Sequence, residues 1–132
     1  MEIGISTASY FPRLLTEDAM DEVARAGAKV GEVFFATHSE YTRDFAAVVK
    51  ERADRGGVRI NSVHALTNQF EPELFGKGLR AHADAITTFT RVCEAGETLG
   101  AKYYVFHGAT RLKPAVKYVF DYGFLAERVN KL

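Results

Sequence analysis

At 132 residues the chain is long enough for one domain with a real core, and its 47% hydrophobic and 26% charged residues match an ordinary globular protein. Its 17 Lys+Arg balance 17 Asp+Glu, which argues against nucleic acid or an anionic membrane as a partner. The single Cys93 excludes an internal disulfide framework, no signal peptide is visible, and no apolar run approaches the ~20 residues of a membrane helix. These features together point to the cytoplasm.

Glu2 to Ser6 (EIGIS) reads as a short opening strand, followed by the turn-rich TASYFPR. Thr16 stands before EDAMDEVARAG as an N-cap, with acids in the first turn that suit the helix dipole. Ala19, Met20, Val23 and Ala24 share one face of that helix, and Gly27 stops it. Val30 to Phe35 (VGEVFF) is the second strand. A second helix runs from about Thr42 to Arg55, with Phe45, Val48, Val49 and Arg52 at helical spacing, and Gly56-Gly57 closes it. Val58 to Val63 (VRINSV) is the third strand.

A loop from Ala65 to Gly78 carries Asn68, Gln69, Phe70 and Pro72. A third long helix follows from about Leu79 to Leu99, burying Ala85, Ile86, Phe89, Val92, Cys93 and Leu99. Cys93 on that face reads as an inert core thiol. Gly100 ends the helix, Lys102 to Phe106 is the fourth strand, and a loop from His107 to Pro114 leads into a last helical pattern. There Tyr118, Tyr122, Leu125, Val129 and Leu132 form one apolar stripe that runs to the final residue.

The order repeats. GAKVGEVFF and GAKYYVFH both set a helix-end glycine, then Ala and Lys, before a strand, and the diglycine before VRINSVHA is a looser copy. Strands alternating with helices imply a parallel sheet with right-handed crossovers. Burial of both faces of such a sheet accounts for the uniformly apolar YYVF. Four units ending on a core stripe read as a single domain, 1–132, that is half of a larger repeat.

In parallel α/β folds ligands collect at the carboxyl ends of the strands. His64 ends the third strand (SVHA) and His107 the fourth (YYVFHG), so two imidazoles on strands ~4.8 Å apart could meet at one pocket. Packed, hydrogen-bonded histidines are the competing reading. Glu32, inside VGEVFF, is costly to bury without a partner, and either a ligand or an internal Arg or Lys would satisfy it. Asn68, on the loop after His64, could hydrogen-bond a polyhydroxy substrate, although turn chemistry explains it equally. His38 reads as an exposed loop residue and His82 as solvent-facing or at an interface. The glycines match neither a dinucleotide fingerprint nor a phosphate-binding loop.

EIGIST, GAKVGEVFF, SVHA and YYVFHG, in that order, resemble the first half of the sugar phosphate isomerase/epimerase superfamily, the xylose isomerase-like (β/α)8 barrels related to apurinic endonucleases. The resemblance spans essentially the whole chain. It implies four strand–helix units of a TIM barrel, a fold that takes ~250 residues when complete. It implies an activity shifting a proton next to a carbonyl of a sugar or sugar phosphate, aided by Mn²⁺, Mg²⁺, Co²⁺ or Zn²⁺. In the isomerase branch His64 and His107 would line the substrate pocket, while the metal and the bases belong to later strands; Glu32 and Asn68 join them as substrate-binding candidates on their own positions in the chain. In the endonuclease-like branch His64 and His107 match zinc ligands, giving a phosphodiesterase as the alternative. A third reading is a non-catalytic half-barrel. An open half-barrel leaves strand edges and an inner face bare, so a homodimer or larger assembly is expected.

Overall fold

The structure, a computed structural model, describes residues 2–66, 70–108 and 122–132. It divides into two compact units, Met1–Leu66 with Thr90–Phe106, and Thr67–Phe89 with His107–Leu132. No helix among the described residues is long and apolar enough to cross a membrane.

The first unit is built on one parallel sheet with strands in chain order: β1 (Gly4–Ser6), β2 (Val30–Phe35), β3 (Arg59–Ala65) and β4 (Tyr103–Val105). Helix α1 (Thr16–Arg25) connects β1 to β2 and α2 (Arg43–Gly56) connects β2 to β3. The core lies on the helix-bearing side of the sheet. Met20 and Val23 of α1, Val49 and Ala53 of α2, and Val33, Phe35, Ile60 and Val63 of the strands are all buried. The long helix α4 (Leu79–Leu99) adds Val92, Ala95 and Leu99 to this unit. Gly96 lets it come close to the sheet, since a Cβ there would lie 3.2 Å from Val63.

Helix ends follow the sequence in part. Thr42 caps α2 by accepting the Phe45 N–H at 3.2 Å. Gly27 and Gly57 take φ of +81° and +68°, the left-handed stop read from the sequence. Thr16 is not the cap of α1, however. Leu15 holds that position, and the buried Thr16 hydroxyl instead shares its proton between the Phe34 carbonyl (3.2 Å) and Glu40 Oε2 (3.1 Å). On α2 the buried stripe is Ala46, Val49 and Ala53, while Val48 faces solvent. Arg52, on the side of α2 that meets α1, donates to Asp18 and Asp21 at 2.8 Å each.

The second unit contains the one-turn helix α3 (Glu71–Leu74), inside what the sequence presents as plain loop, the first part of α4, and α5 (Tyr122–Val129). The expected apolar stripe on α5 is not its buried side. Tyr122 and Val129 are exposed, and Phe124, Leu125 and Arg128 are the half-buried positions. Tyr118, the first residue of that stripe, lies outside the described residues. The uniformly buried YYVF is also not observed, because β4 ends the strand order and Tyr103 is 63% exposed.

Candidate functional site

Strand register places Glu32 opposite Ser6 of β1 and Ser62 of β3, and Phe34 opposite His64. The match with β3 depends on an irregularity. Gly31 pairs with Ile60 but Glu32 pairs with Ser62, so Asn61 is an extra residue, a β-bulge. Ile60, Val63 and Ala65 can therefore all be buried with the core, while Ser62 and His64 share the opposite face with Glu32 and Phe34.

On that face Glu32 is held from both sides. Its Oε1 accepts the Ser6 hydroxyl at 2.8 Å and its Oε2 accepts the Ser62 hydroxyl at 3.1 Å. No lysine or arginine pairs with it among the ion pairs of the described residues; its ionic neighbour is His64 Nδ1, 3.7 Å from Oε1. Both side chains keep about a fifth to a quarter of their surface in solvent, 21% for His64 and 24% for Glu32. The His64 ring lies against Phe34 with centroids 4.9 Å apart, and Phe34 in turn meets Phe11 edge-on at 5.5 Å. Ser6, Glu32 and Ser62 line a shallow cleft of about 320 Å³ with Glu2, Gly4 and Asn61. A larger recess of about 430 Å³, lined by Lys50, Asp54, Arg59 and Leu99, lies where α2 and α4 finish and contains neither histidine.

His107 falls in the second unit, where it has its own carboxylate. Glu71 is fully buried; its Oε2 accepts the His107 backbone N–H at 3.1 Å and lies 3.7 Å from His107 Nδ1. Each strand-end histidine thus turns Nδ1 toward a glutamate of its own unit. Asn68 lies outside the described residues. His38 is exposed, its ring 5.2 Å from Tyr41. His82 is half-buried, with Nε2 2.6 Å from an Arg128 guanidinium nitrogen and Nδ1 without a partner among the described residues.

Two carboxylates escaped the sequence reading. Glu71 carries no periodic signal, since it follows a loop and precedes Pro72 in a single helical turn. Glu40 is buried just past β2, where its Oε2 accepts the Ala36 N–H at 2.6 Å as well as the Thr16 hydroxyl. Burial pushes its carboxyl above the ordinary value, against the opposing pull of those donors. For a metal ion the donor chemistry is only partly present. Imidazole and carboxylate are suitable ligands, yet no group of three or more such side chains converges among the described residues.

No family model matches the chain, and no curated protein does. Solved structures do match. One is a crystal structure of D-psicose 3-epimerase in the presence of D-fructose, 17% identical with a TM-score of 0.72, covering 99% of this chain and 47% of that one. Another is D-psicose 3-epimerase with D-tagatose from Clostridium cellulolyticum H10, 16% identical, with the same TM-score and coverage. The chain spans about half the length of the structures it matches. Its four parallel strands alternating with helices have the architecture of half a TIM barrel.

Proposed function

We propose that the chain forms four strand–helix units of a sugar isomerase or epimerase that moves a proton next to a carbonyl. The observation carrying this reading is that His64 and His107, after the third and fourth strands, each hold Nδ1 3.7 Å from a glutamate. An imidazole with its proton on Nδ1 carries its lone pair on Nε2, a chemistry that accepts from a sugar hydroxyl or ligates a divalent cation. The likeness in fold to two epimerases crystallised with ketohexoses supports a small sugar as the ligand. Phe34 packs His64 from one side, and the exposed Phe11 beyond it is an apolar ring of the kind that packs against the C–H face of a sugar.

Mn²⁺, Mg²⁺, Co²⁺ or Zn²⁺, where bound, would polarise the carbonyl and stabilise the enediolate. His64 in the first unit and His107 in the second are each proposed, within their own unit, as a side chain able to ligate such an ion. The remaining ligands, and the carboxylate that abstracts the proton, come from outside the described residues in this reading. Glu32 is not assigned that role; each of its oxygens accepts a serine hydroxyl.

The test is sugar binding by saturation-transfer NMR with D-fructose, D-psicose and D-tagatose, with and without each cation. Solvent-deuterium exchange at the carbon next to the carbonyl is followed alongside. Binding that weakens at least tenfold in a His64→Ala, His107→Ala variant is expected. Absence of binding to all three sugars in the unaltered chain overturns the reading. We propose also that the chain self-associates, because β1 and β4 end the strand order among the described residues and Ile3 and Tyr103 are 75% and 63% exposed. Light scattering should show a dimer or larger species, and a lone monomer at high concentration refutes it.

A further inference from the structure

Glu32 sits one step deeper along the strands than His64. The serines that hold it are its own register partners on the two neighbouring strands, Ser6 and Ser62. An ionised carboxylate has about four lone-pair sites, and one hydroxyl on each oxygen fixes the plane of the group. The rest of the group faces the cleft, and its ionic neighbour is His64 Nδ1, 3.7 Å from Oε1. A neutral imidazole carries a single N–H. Placed on Nδ1, its positive end faces the carboxylate; placed on Nε2, it leaves the Nδ1 lone pair against a negative charge, which is repulsive.

We propose that Glu32 is a positioning residue, which touches no ligand itself and instead selects the Nδ1–H tautomer of His64, leaving the lone pair on Nε2. The inference deepens the reading of His64 as a ligand-facing residue and rests on it. The second unit carries the same arrangement independently. Glu71 Oε2 stands 3.7 Å from His107 Nδ1 and is fixed by accepting the His107 backbone N–H at 3.1 Å. Two carboxylates from unrelated elements, a mid-strand residue and a one-turn helix, impose one tautomer on two strand-end histidines. Packing alone gives no reason for that agreement. Ser6 and Ser62 belong to the same device, because without them the carboxylate could rotate away from the ring.

The tautomer is read directly from the imidazole ¹⁵N shifts of labelled protein, with the pH above the imidazole range so that the ring is neutral. His64 is assigned as the resonance lost in His64→Gln. The unaltered chain is expected to show His64 as Nδ1–H. Glu32→Gln, which removes the charge and keeps the size, should shift the ratio toward Nε2–H by roughly tenfold. An Nε2–H ring in the unaltered chain, or an unchanged ratio in Glu32→Gln, overturns the proposal. Should Glu32→Gln fail to fold, the unaltered chain decides alone: Nδ1–H supports the proposal and Nε2–H refutes it. No sugar or metal is present, so failure of sugar binding leaves this result standing, and the reverse.

Discussion

Replacing Thr7 with valine isolates one hydrogen bond that holds the site-bearing strand. Strand β1 pairs with β2 through Ser6 and then turns into a 3-10 helix over Thr7–Tyr10. Beyond the last rung Thr7 Oγ1 takes over, accepting the Phe34 N–H at 2.8 Å. Thr7 is only 3% exposed and Phe34 7%, so water cannot substitute for the lost acceptor. Valine keeps the shape and removes the oxygen, leaving a buried N–H unsatisfied at a cost of about 1–3 kcal/mol. For a chain of this size, a loss of about 2 kcal/mol lowers Tm by roughly 5–10 °C.

Thr7→Ser serves as the counter-test. It keeps the acceptor and loses one methyl, which costs about 0.8 kcal/mol. The reasoning therefore ranks valine below serine, although valine is the more apolar residue at a buried position. Urea unfolding followed by far-UV circular dichroism gives the two midpoints, with equal slopes expected because neither change alters the surface exposed on unfolding. A Thr7→Val chain as stable as the unaltered one, or more stable than Thr7→Ser, would refute the argument.

Gly56→Ala places a Cβ 2.5 Å from the Ala24 Cβ, between α1 and α2. Overpacking of about 1–3 kcal/mol outweighs a helix-propensity gain of up to about 1 kcal/mol, so a lower Tm is expected and an unchanged or higher one counts against it. Burial raises the Glu40 carboxyl above its ordinary 4.5, so the folded chain binds that proton more tightly than the unfolded one. Its contribution to stability is complete below 4.5 and is lost as pH rises through the raised value. Glu40→Gln should flatten that part of the stability–pH curve in urea titrations, and an identical curve speaks against it. The Cys93 thiol is pushed up from 9.0 by burial and then by Glu97, so it should react with a thiol reagent at neutral pH far more slowly than in denaturant. Equal rates would show the burial to be wrong.

The strand–helix order was readable because short apolar runs alternate with long amphipathic stretches. VGEVFF is too apolar and too short for anything but a strand, and α4 matches its expected bounds of Leu79 and Leu99. Local chemistry was less decisive where tertiary partners competed for it. Thr16 has the composition of a cap, but Phe34 and Glu40 offer its hydroxyl buried acceptors. The stripe through Tyr122 and Val129 has helical spacing, yet periodicity says which residues share a face and not whether anything covers that face. Of the candidate residues, His64, His107 and Glu32 were visible as polar groups in strand contexts. The partners that give them direction were not. Ser6 and Ser62 look like ordinary strand serines until the register is known, and Glu71 lies 36 residues from His107 in the chain.

That register depends on a single residue. In INSVHA, strict alternation sets Ile60 and Val63 on opposite faces, and one of them would leave the core. The bulge at Asn61 absorbs the odd residue, so both are buried at 4% and 2%. The same correction moves Ser62 opposite Glu32 and His64 opposite Phe34, and so assembles the polar layer and the imidazole above it in one step. Burying the apolar residues of β3 and building the candidate site are therefore one requirement on the backbone. Roles then divide by depth along the strands. The inner level, Ser6, Glu32 and Ser62, satisfies its own hydrogen bonds and sets a charge. The outer level, Phe34 and His64, takes its ring packing from the aromatic neighbour and its proton placement from the charge beneath. A polar layer inside a parallel sheet is costly as packing, but as the support of a strand-end imidazole it has a physical reason to be there.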